Sequence, residues 1–404
     1  MPRRPAQKKV TAHQAIDEWT GWRGPRRDAV SASVPRTLPI VPRILWMQPL
    51  NGPGLGGVAA TREFVVIGDR GLGDVSDVFH CYAAADGKLL WSIQYPALGK
   101  LDYGNTPRAT PLIHNNRVYL LGGFGDLHCL ELATGNIVWK RNIRLDFGAR
   151  HELVWGYCSS PLIVDGKLIV NPGAEQASVV ALDPQTGKTL WQTPGGPPGY
   201  ASFIVGTFGG VHQIVGYDKQ SLGGWNPTTG KRLWKLRPRH PGDFNVPTPV
   251  QAGERLLVAT ENNGARLYAF DKQGRIIAKP IAVNEDLAPD MATPLVVNGR
   301  AYCVWEKLHC LDLEDGLKTL WTGPDDSFGL YGAIVGNKSR ILVFGDGATM
   351  VLLDATSKQF QVVSRLEVFQ GYTAEYYSHP ALVGNRLYLR GPTSLVCLSL
   401  ATDP

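Results

Sequence analysis

The sequence has no apolar stretch of the roughly 20 residues that a helix needs to cross a bilayer, so we expect no transmembrane segment. The first 30 residues contain no apolar core of a secretory leader. The chain as given is therefore expected to be cytoplasmic, or periplasmic if the true N-terminus is longer. Six cysteines are present without any Cys-x-x-Cys spacing, which argues against zinc sites and thioredoxin-like redox sites.

Charge is also scarce, because Asp, Glu, Lys and Arg make up only 19% of the 404 residues. The net charge is +6, and residues 1–36 hold +5 of it, with eight Lys/Arg against three acidic residues. We expect this basic N-terminal extension to lie on the protein surface in contact with water, with no nucleic-acid partner. Trp19 and Trp22 should then tolerate substitution, and deletion of residues 1–30 should be nearly neutral.

Glycine, proline and aromatic residues are abundant, with 46 Gly, 29 Pro, 11 Trp and 14 Tyr, which suits a turn-rich β-protein. A motif recurs that ends in tryptophan, and its most complete copy is Ala181-Leu-Asp-Pro-Gln-Thr-Gly-Lys-Thr-Leu-Trp191. Its last positions follow one another at intervals of 41–52 residues. Each interval holds four short strand patterns separated by polar turns, which is the plan of a β-propeller blade.

Seven intervals are complete, and the eighth is split between the two ends of the chain. Residues 378–400 supply three strands, and residues 41–49, which contain Trp46, supply the fourth. Pairing the two ends closes the ring and hides strand edges. We therefore predict an all-β chain with residues 1–36 as the extension and 37–404 as one eight-bladed propeller of four-stranded antiparallel blades.

The repeated motif resembles the tryptophan-docking motif of the quinoprotein alcohol dehydrogenase-like superfamily, in which each tryptophan ties one blade to the next. The resemblance covers about residues 40–402, and the N-terminal Trp19-Thr-Gly-Trp-Arg-Gly-Pro is most similar to bacterial PQQ-like repeat proteins. It implies a structural docking role for six tryptophans: Trp46, Trp91, Trp139, Trp191, Trp234 and Trp321.

Two branches of this superfamily imply different functions. One contains dehydrogenases of alcohols or sugars that carry pyrroloquinoline quinone beside calcium; the other contains propellers without cofactor, including BamB-type assembly proteins. No adjacent cysteines and no Cys-x-x-Cys-His are present here. We expect a non-catalytic binding or assembly scaffold without cofactor or metal. The alternatives are a quinone- and calcium-dependent oxidoreductase, with Arg108, Asn245 and Asp290 as first contacts, and a carbohydrate-binding or carbohydrate-cleaving propeller.

The segments just before each innermost strand should meet at one mouth of the central channel. They contain aromatic, basic and acidic residues that suit a polar pocket with stacking walls for a protein partner or a small polar or carbohydrate ligand on a monomeric propeller. The candidates are Arg108, His151, Glu152, Trp155, Tyr157, Tyr200, Asn245, Asp290, Tyr331, Glu375, Tyr377 and His379.

Two of these candidates are histidines, whose side chains titrate near neutral pH. If His151 and His379 met beside Glu152 or Glu375, they could bind a metal or perform acid–base chemistry. The sequence leaves their separation open, so catalytic residues stay unassigned.

Overall fold

The computed structural model describes residues 18–345, 349–369 and 377–401. Thirty-two strands form eight four-stranded antiparallel sheets in this part of the chain, with one short helix, α1 (Ile143–Asp146). The eight-bladed architecture predicted from the repeat is confirmed. Within each blade, strands are ordered from the channel outward, and short turns connect neighbouring strands, so each blade is a meander.

The strand bounds show the same spacing from blade to blade. Blade 1 contains β2 (Ala59–Ala60), β3 (Phe64–Arg70), β4 (Ser76–Ala83) and β5 (Leu89–Pro96). Blade 2 contains β6 (Leu112–His114), β7 (Arg117–Leu121), β8 (Asp126–Glu131) and β9 (Ile137–Asn142). Blade 3 contains β10 (Leu162–Val164), β11 (Lys167–Val170), β12 (Val179–Leu182) and β13 (Thr189–Thr193). Blade 4 contains β14 (Ile204–Phe208), β15 (Val211–Asp218), β16 (Ser221–Trp225) and β17 (Arg232–Leu236).

The second half of the ring repeats this plan. Blade 5 contains β18 (Val250–Ala252), β19 (Arg255–Thr260), β20 (Gly264–Tyr268) and β21 (Ala282–Asn284). Blade 6 contains β22 (Leu295–Val297), β23 (Arg300–Trp305), β24 (Lys307–Asp312) and β25 (Lys318–Gly323). Blade 7 contains β26 (Ala333–Gly336), β27 (Arg340–Phe344), β28 (Thr349–Asp354) and β29 (Val362–Glu367). Blade 8 contains β30 (Ala381–Val383), β31 (Arg386–Arg390), β32 (Ser394–Ser399) and β1 (Arg43–Pro49).

The two ends of the chain meet in blade 8. Strand β1 pairs with β32 in antiparallel register, with Met47 opposite Val396 and Trp46 opposite Cys397. The predicted ring closure by terminal strands is therefore confirmed. Its physical basis is that β1 covers the edge that β32 would otherwise expose.

Tryptophans on the outer strands contact the following blade. The indole Nε1 of Trp46 donates to the Ala84 carbonyl at 3.1 Å, and that of Trp91 to the Leu132 carbonyl at 2.7 Å. Trp139 and Trp191 make the equivalent bonds one blade further on, each at 3.0 Å. Trp234 instead donates to Gln213 Oε1 in its own blade, and Trp321 Nε1 has no partner within the described residues.

In blades 1 to 4 the glycine of the turn before the outer strand accommodates the preceding blade's indole. A Cβ on Gly135 would lie 2.6 Å from Trp91 Cγ, and Gly135 also has a positive φ of 74°. Gly187 and Gly230 meet Trp139 and Trp191 in the same way. Glycine is required here for two reasons, because the backbone is left-handed and the indole occupies the space of a side chain.

Residues 1–17 of the predicted N-terminal extension lie outside the described residues. Residues 19–31 (the channel segment) do not lie on the surface as expected but fill the centre of the ring. Trp19 pairs through its backbone with Ala60, at the end of β2, and Val30 pairs with Gly336, at the end of β26. Between them, the Arg27 guanidinium donates to the carbonyls of Phe203, Ser160 and Pro161, which precede β14 and β10. Both ends of the channel segment therefore lie at the side of the ring where the innermost strands end. Its middle, at Arg27, lies near the side where the innermost strands begin.

Each of the eight blades contributes a contact to the channel segment. Thr20 accepts from Ile113 in blade 2, Trp22 donates to Thr248 Oγ1 before blade 5, and Arg23 donates to the Pro294 carbonyl before blade 6. Trp19 and Arg23 are only 2% and 1% exposed. Burial lowers the pKa of Arg23 to about 10 and that of Arg27 to about 9, because the charged guanidinium groups lose their contact with water.

Candidate functional site

Six aromatic side chains surround the upper mouth, the end of the channel where the innermost strands begin. Trp155 is central to the set, with its ring centroid 4.7 Å from Tyr200, 4.8 Å from Phe244 and 6.4 Å from Tyr103. Tyr377 continues the set, 6.3 Å from Tyr103 and 5.6 Å from Tyr331. This aromatic collar consists of Tyr103, Trp155, Tyr200, Phe244, Tyr331 and Tyr377. Its members come from the segments before six different innermost strands.

The collar runs from the surface down into the channel. Tyr103 and Phe244 are 62% and 55% exposed, whereas Tyr331 is buried. Burial raises the pKa of Tyr331, and the Arg23 cation opposes that effect, so this ring lies close to the channel segment. The collar therefore has exposed rings at its rim and a closed floor, which makes it a concave surface rather than an open conduit.

Phe244 was missed by the sequence reasoning, although it is adjacent to the predicted Asn245. The signal was present, because Phe244 precedes the innermost strand of blade 5 as Tyr200 precedes that of blade 4. Only polar and tyrosine residues of that segment were considered.

Arg108 lies buried beside the collar and is 7% exposed. Its Nη2 donates to the carbonyl oxygens of Asp102 and Gly104, while Nε and Nη1 have no partner within the described residues. Burial lowers the pKa of Arg108, and the nearby Cys158 thiol and Tyr200 hydroxyl oppose this. Desolvation raises the pKa of the half-buried Cys158 to about 12, so it is a neutral thiol rather than a nucleophilic thiolate.

His379 lies in the channel rather than on the collar. Its ring stacks on Trp19 at 5.8 Å and meets Trp22 edge-on at 5.3 Å, and its Nδ1 is 3.0 Å from the Pro380 carbonyl. Burial, together with the neighbouring Arg23 cation, lowers the pKa of His379 to about 3. This histidine is neutral at physiological pH.

His151 occupies a different environment, between the loops of blades 3 and 4. It lies against Gly173, and burial together with Arg144 and Lys219 lowers its pKa. Glu152 beside it is exposed, and Glu375 lies outside the described residues. The structure supplies no contact that would join His151 and His379 in one site.

Tyr157 is part of the core of blades 2 and 3, where its hydroxyl donates to the Pro172 carbonyl at 3.0 Å. Burial raises the pKa of Tyr157, so the phenol stays protonated. It supports the collar from behind.

The residues suggested for a quinone and calcium do not form an ion-binding set. Asn245 is 3% exposed, and its Nδ2 donates to the Lys219 carbonyl at 3.2 Å. Asp290 is half-buried, and burial raises its pKa. Calcium takes six to eight oxygens, usually with several carboxylates. Across residues 18–345, 349–369 and 377–401, no group of three His, Cys, Asp or Glu side chains could hold a metal ion.

Fold and collar together define a propeller of the PQQ-like repeat class. The sequence matches the family described as outer membrane protein assembly factor BamB over residues 76–322 and 175–365, and the chain belongs to this family. The two overlapping matches are expected of a repeat that aligns in more than one position.

Solved structures of two functional classes share the fold. BamB from Moraxella catarrhalis is 17% identical with a TM-score of 0.56, covering 89% of this chain and 100% of that one. The quinohemoprotein alcohol dehydrogenase from Comamonas testosteroni is 14% identical with a TM-score of 0.64, covering 97% and 82%. At these identities the likeness shows the fold alone.

A curated relative matches a shorter region. The dehydrogenase subunit of a quinone alcohol dehydrogenase from Gluconobacter oxydans (strain 621H) is 33% identical over 117 residues, which are 27% of this chain and 16% of that protein. The match thus spans under a fifth of the relative's length. Among the residues described, no helix combines the length and apolar character needed to cross a membrane.

Proposed function

We propose that this protein is a non-catalytic binding scaffold that holds an extended segment of a partner protein in the aromatic collar. The observation that carries the proposal is the convergence of six aromatic rings from six blades over a closed floor. Tyrosine and tryptophan are enriched among the residues that dominate protein–protein binding energy. Exposed Tyr103 and Phe244 would make first contact, and Trp155 would form the central pocket wall.

The chemistry around the collar supports binding rather than catalysis. His379 is neutral and enclosed, Cys158 is a protonated thiol, and Arg108 is bonded to backbone carbonyls. None of these groups forms a nucleophile–base pair of the kind that group-transfer enzymes use.

The second candidate is a quinone-dependent oxidoreductase, which the match to the Gluconobacter oxydans enzyme favours. A quinone with three carboxylates needs several cations and a metal beside it, because unpaired buried charge is costly. Arg108 is the one collar-side guanidinium we identify, and among the residues that the structure describes the carboxylates that calcium needs do not converge. These side chains fit a binding scaffold better than a quinone-dependent oxidoreductase.

Site-specific photo-crosslinking in the native host tests the proposal. A benzophenone amino acid at Phe244 should capture one discrete partner, whereas the same group at Leu190, equally exposed on the outer strand β13, should not. Purified partner should then bind Trp155→Ala at least about 30-fold more weakly, as expected for a central aromatic contact. Equal capture at both positions, or unchanged affinity of Trp155→Ala, would contradict the proposal.

A further inference from the structure

Blade 5 departs from the repeat in its outer strand. Ala278 stands where six of the other seven blades have tryptophan, and β21 is only three residues long, pairing with Ala265–Leu267. The preceding connection turns aside, with Phe270 packing on Phe208 at 4.6 Å and on Trp234 at 5.8 Å. The short strand leaves a gap between the outer parts of blades 4 and 5.

A cleft of about 650 Å³ occupies this gap. It lies between the segment that follows β17 and the outer half of blade 5. Its volume falls within the range of roughly 300–1,000 Å³ that is typical of small-molecule sites.

Three arginines line the cleft, and one of them is buried. Arg266 is 7% exposed, and its Nη2 donates to the neutral Thr260 hydroxyl at 2.6 Å. Its Nε has no partner, and no carboxylate among the described residues lies within ion-pair distance of the guanidinium. This differs from Arg27, whose guanidinium is enclosed by carbonyl oxygens. The buried Asp243 carboxylate accepts from the Thr260 hydroxyl at 2.8 Å and so reaches Arg266 only through that hydroxyl. A bound anion would give the guanidinium the direct acidic partner that a buried cation favours.

The other two arginines stand on the outer wall. Arg237 and Arg239 are exposed, alternate along an extended segment and both line the cleft. Guanidinium groups bind carboxylates and phosphates through paired N–H groups. Asn262 and Glu285, also exposed, add an amide and a carboxylate to the same lining. A carboxylate would repel a bare anion but accepts hydrogen bonds from hydroxyl groups.

We propose that this cleft binds a hydroxylated anion of one or two ring units, such as a sugar acid or a sugar phosphate. The three arginines hold the acidic group, and Asn262 and Glu285 hold ring hydroxyls. The cleft borders the collar, because Glu261 of its lining accepts from the Phe244 backbone N–H. Its test substitutes Arg237 and Arg239, which are not collar residues, so it does not depend on the partner proposed above.

Isothermal titration of the full chain with glucuronate, glucose 6-phosphate, glucose and inorganic phosphate tests the inference. One of the two acidic sugars should bind saturably, more tightly than glucose or phosphate, and more weakly as salt rises. The double variant Arg237→Gln/Arg239→Gln should weaken that binding at least about tenfold, since both substitutions affect exposed residues and remove charge-assisted hydrogen bonds. Lys235→Gln is the matched control, because Lys235 is exposed on the same segment but does not line the cleft.

Each result of these titrations either supports or overturns the proposed site. Loss of binding in the double variant with less than about twofold change in Lys235→Gln supports the site. Saturable binding that the double variant retains would overturn it, as would binding of neither acidic sugar. Phosphate binding as tightly as glucose 6-phosphate would also overturn it, since the hydroxyl contacts would then contribute nothing.

Discussion

Replacement of Trp19 by alanine is the sharpest test of the channel segment. The Trp19 side chain is 2% exposed, packs on Gly24 and stacks on His379. A buried tryptophan removes about 150–250 Å² from water, and at about 25 cal/mol per Å² this corresponds to at most roughly 4–6 kcal/mol. Large-to-small core substitutions of aromatic residues cost about 3–5 kcal/mol, so we expect Trp19→Ala to lower the free energy of unfolding by that amount.

Urea unfolding followed by far-ultraviolet circular dichroism measures the effect as a lower midpoint with an unchanged m-value. Arg26→Ala is the control within the same segment, because the Arg26 side chain is 54% exposed, and it should change stability by no more than about 0.5 kcal/mol. If Trp19→Ala unfolds within about 1 kcal/mol of the wild-type protein, the channel segment does not stabilise the ring. The expectation that deletion of residues 1–30 is neutral would then regain support.

Two further predictions concern the blades and the channel. Gly135→Ala should destabilise the protein in thermal unfolding by clearly more than Gly166→Ala; both glycines have φ near 70°, but only a Cβ at Gly135 would meet Trp91, at 2.6 Å, while that at Gly166 would meet nothing within 4 Å. Equal melting temperatures would show that the indole moves aside without cost. Because the pKa of His379 falls from about 6.5 to about 3 on folding, the unfolded state binds one more proton between these pH values, so His379 contributes stability that is present above pH 6.5 and is lost as pH falls toward 3. His379→Gln should therefore reduce the decline of unfolding free energy between pH 7 and pH 5 by up to about 1.4 kcal/mol per pH unit, and an unchanged slope would place His379 in contact with water.

The blade architecture was predictable because its signal is local and repeated. In blades 1 to 4 the motif pairs a left-handed glycine with a tryptophan one blade earlier, as Gly187 and Trp139 do, so sequence spacing directly reports blade spacing. Closure of the ring by the terminal strands could be predicted by counting strands, because Trp46 has no preceding strands of its own blade. Four collar residues were found for the same reason, because every blade presents the segment before its innermost strand at one mouth: Trp155, Tyr200, Tyr331 and Tyr377.

The channel segment could not be predicted in this way. It has no repeat, and its arginines suggested a surface in contact with water, whereas Arg23 and Arg27 bond to backbone carbonyls of distant blades. A sequence does not show where backbone carbonyl groups point, so it cannot show that several of them converge on one guanidinium. The same limit applies to His379, whose environment is created by Trp19 and Trp22 from the other end of the chain.

Titration with pyrroloquinoline quinone, with and without Ca²⁺, tests the scaffold proposal most directly. Absorbance and melting temperature report binding, and dye reduction with a panel of alcohols and aldoses reports turnover. We expect no stoichiometric binding at micromolar quinone and no dye reduction, because Arg108 lacks the cationic and metal partners that the three carboxylates require. Stoichiometric micromolar binding that depends on Ca²⁺ and is accompanied by turnover would contradict the scaffold proposal and make the protein a quinone-dependent oxidoreductase.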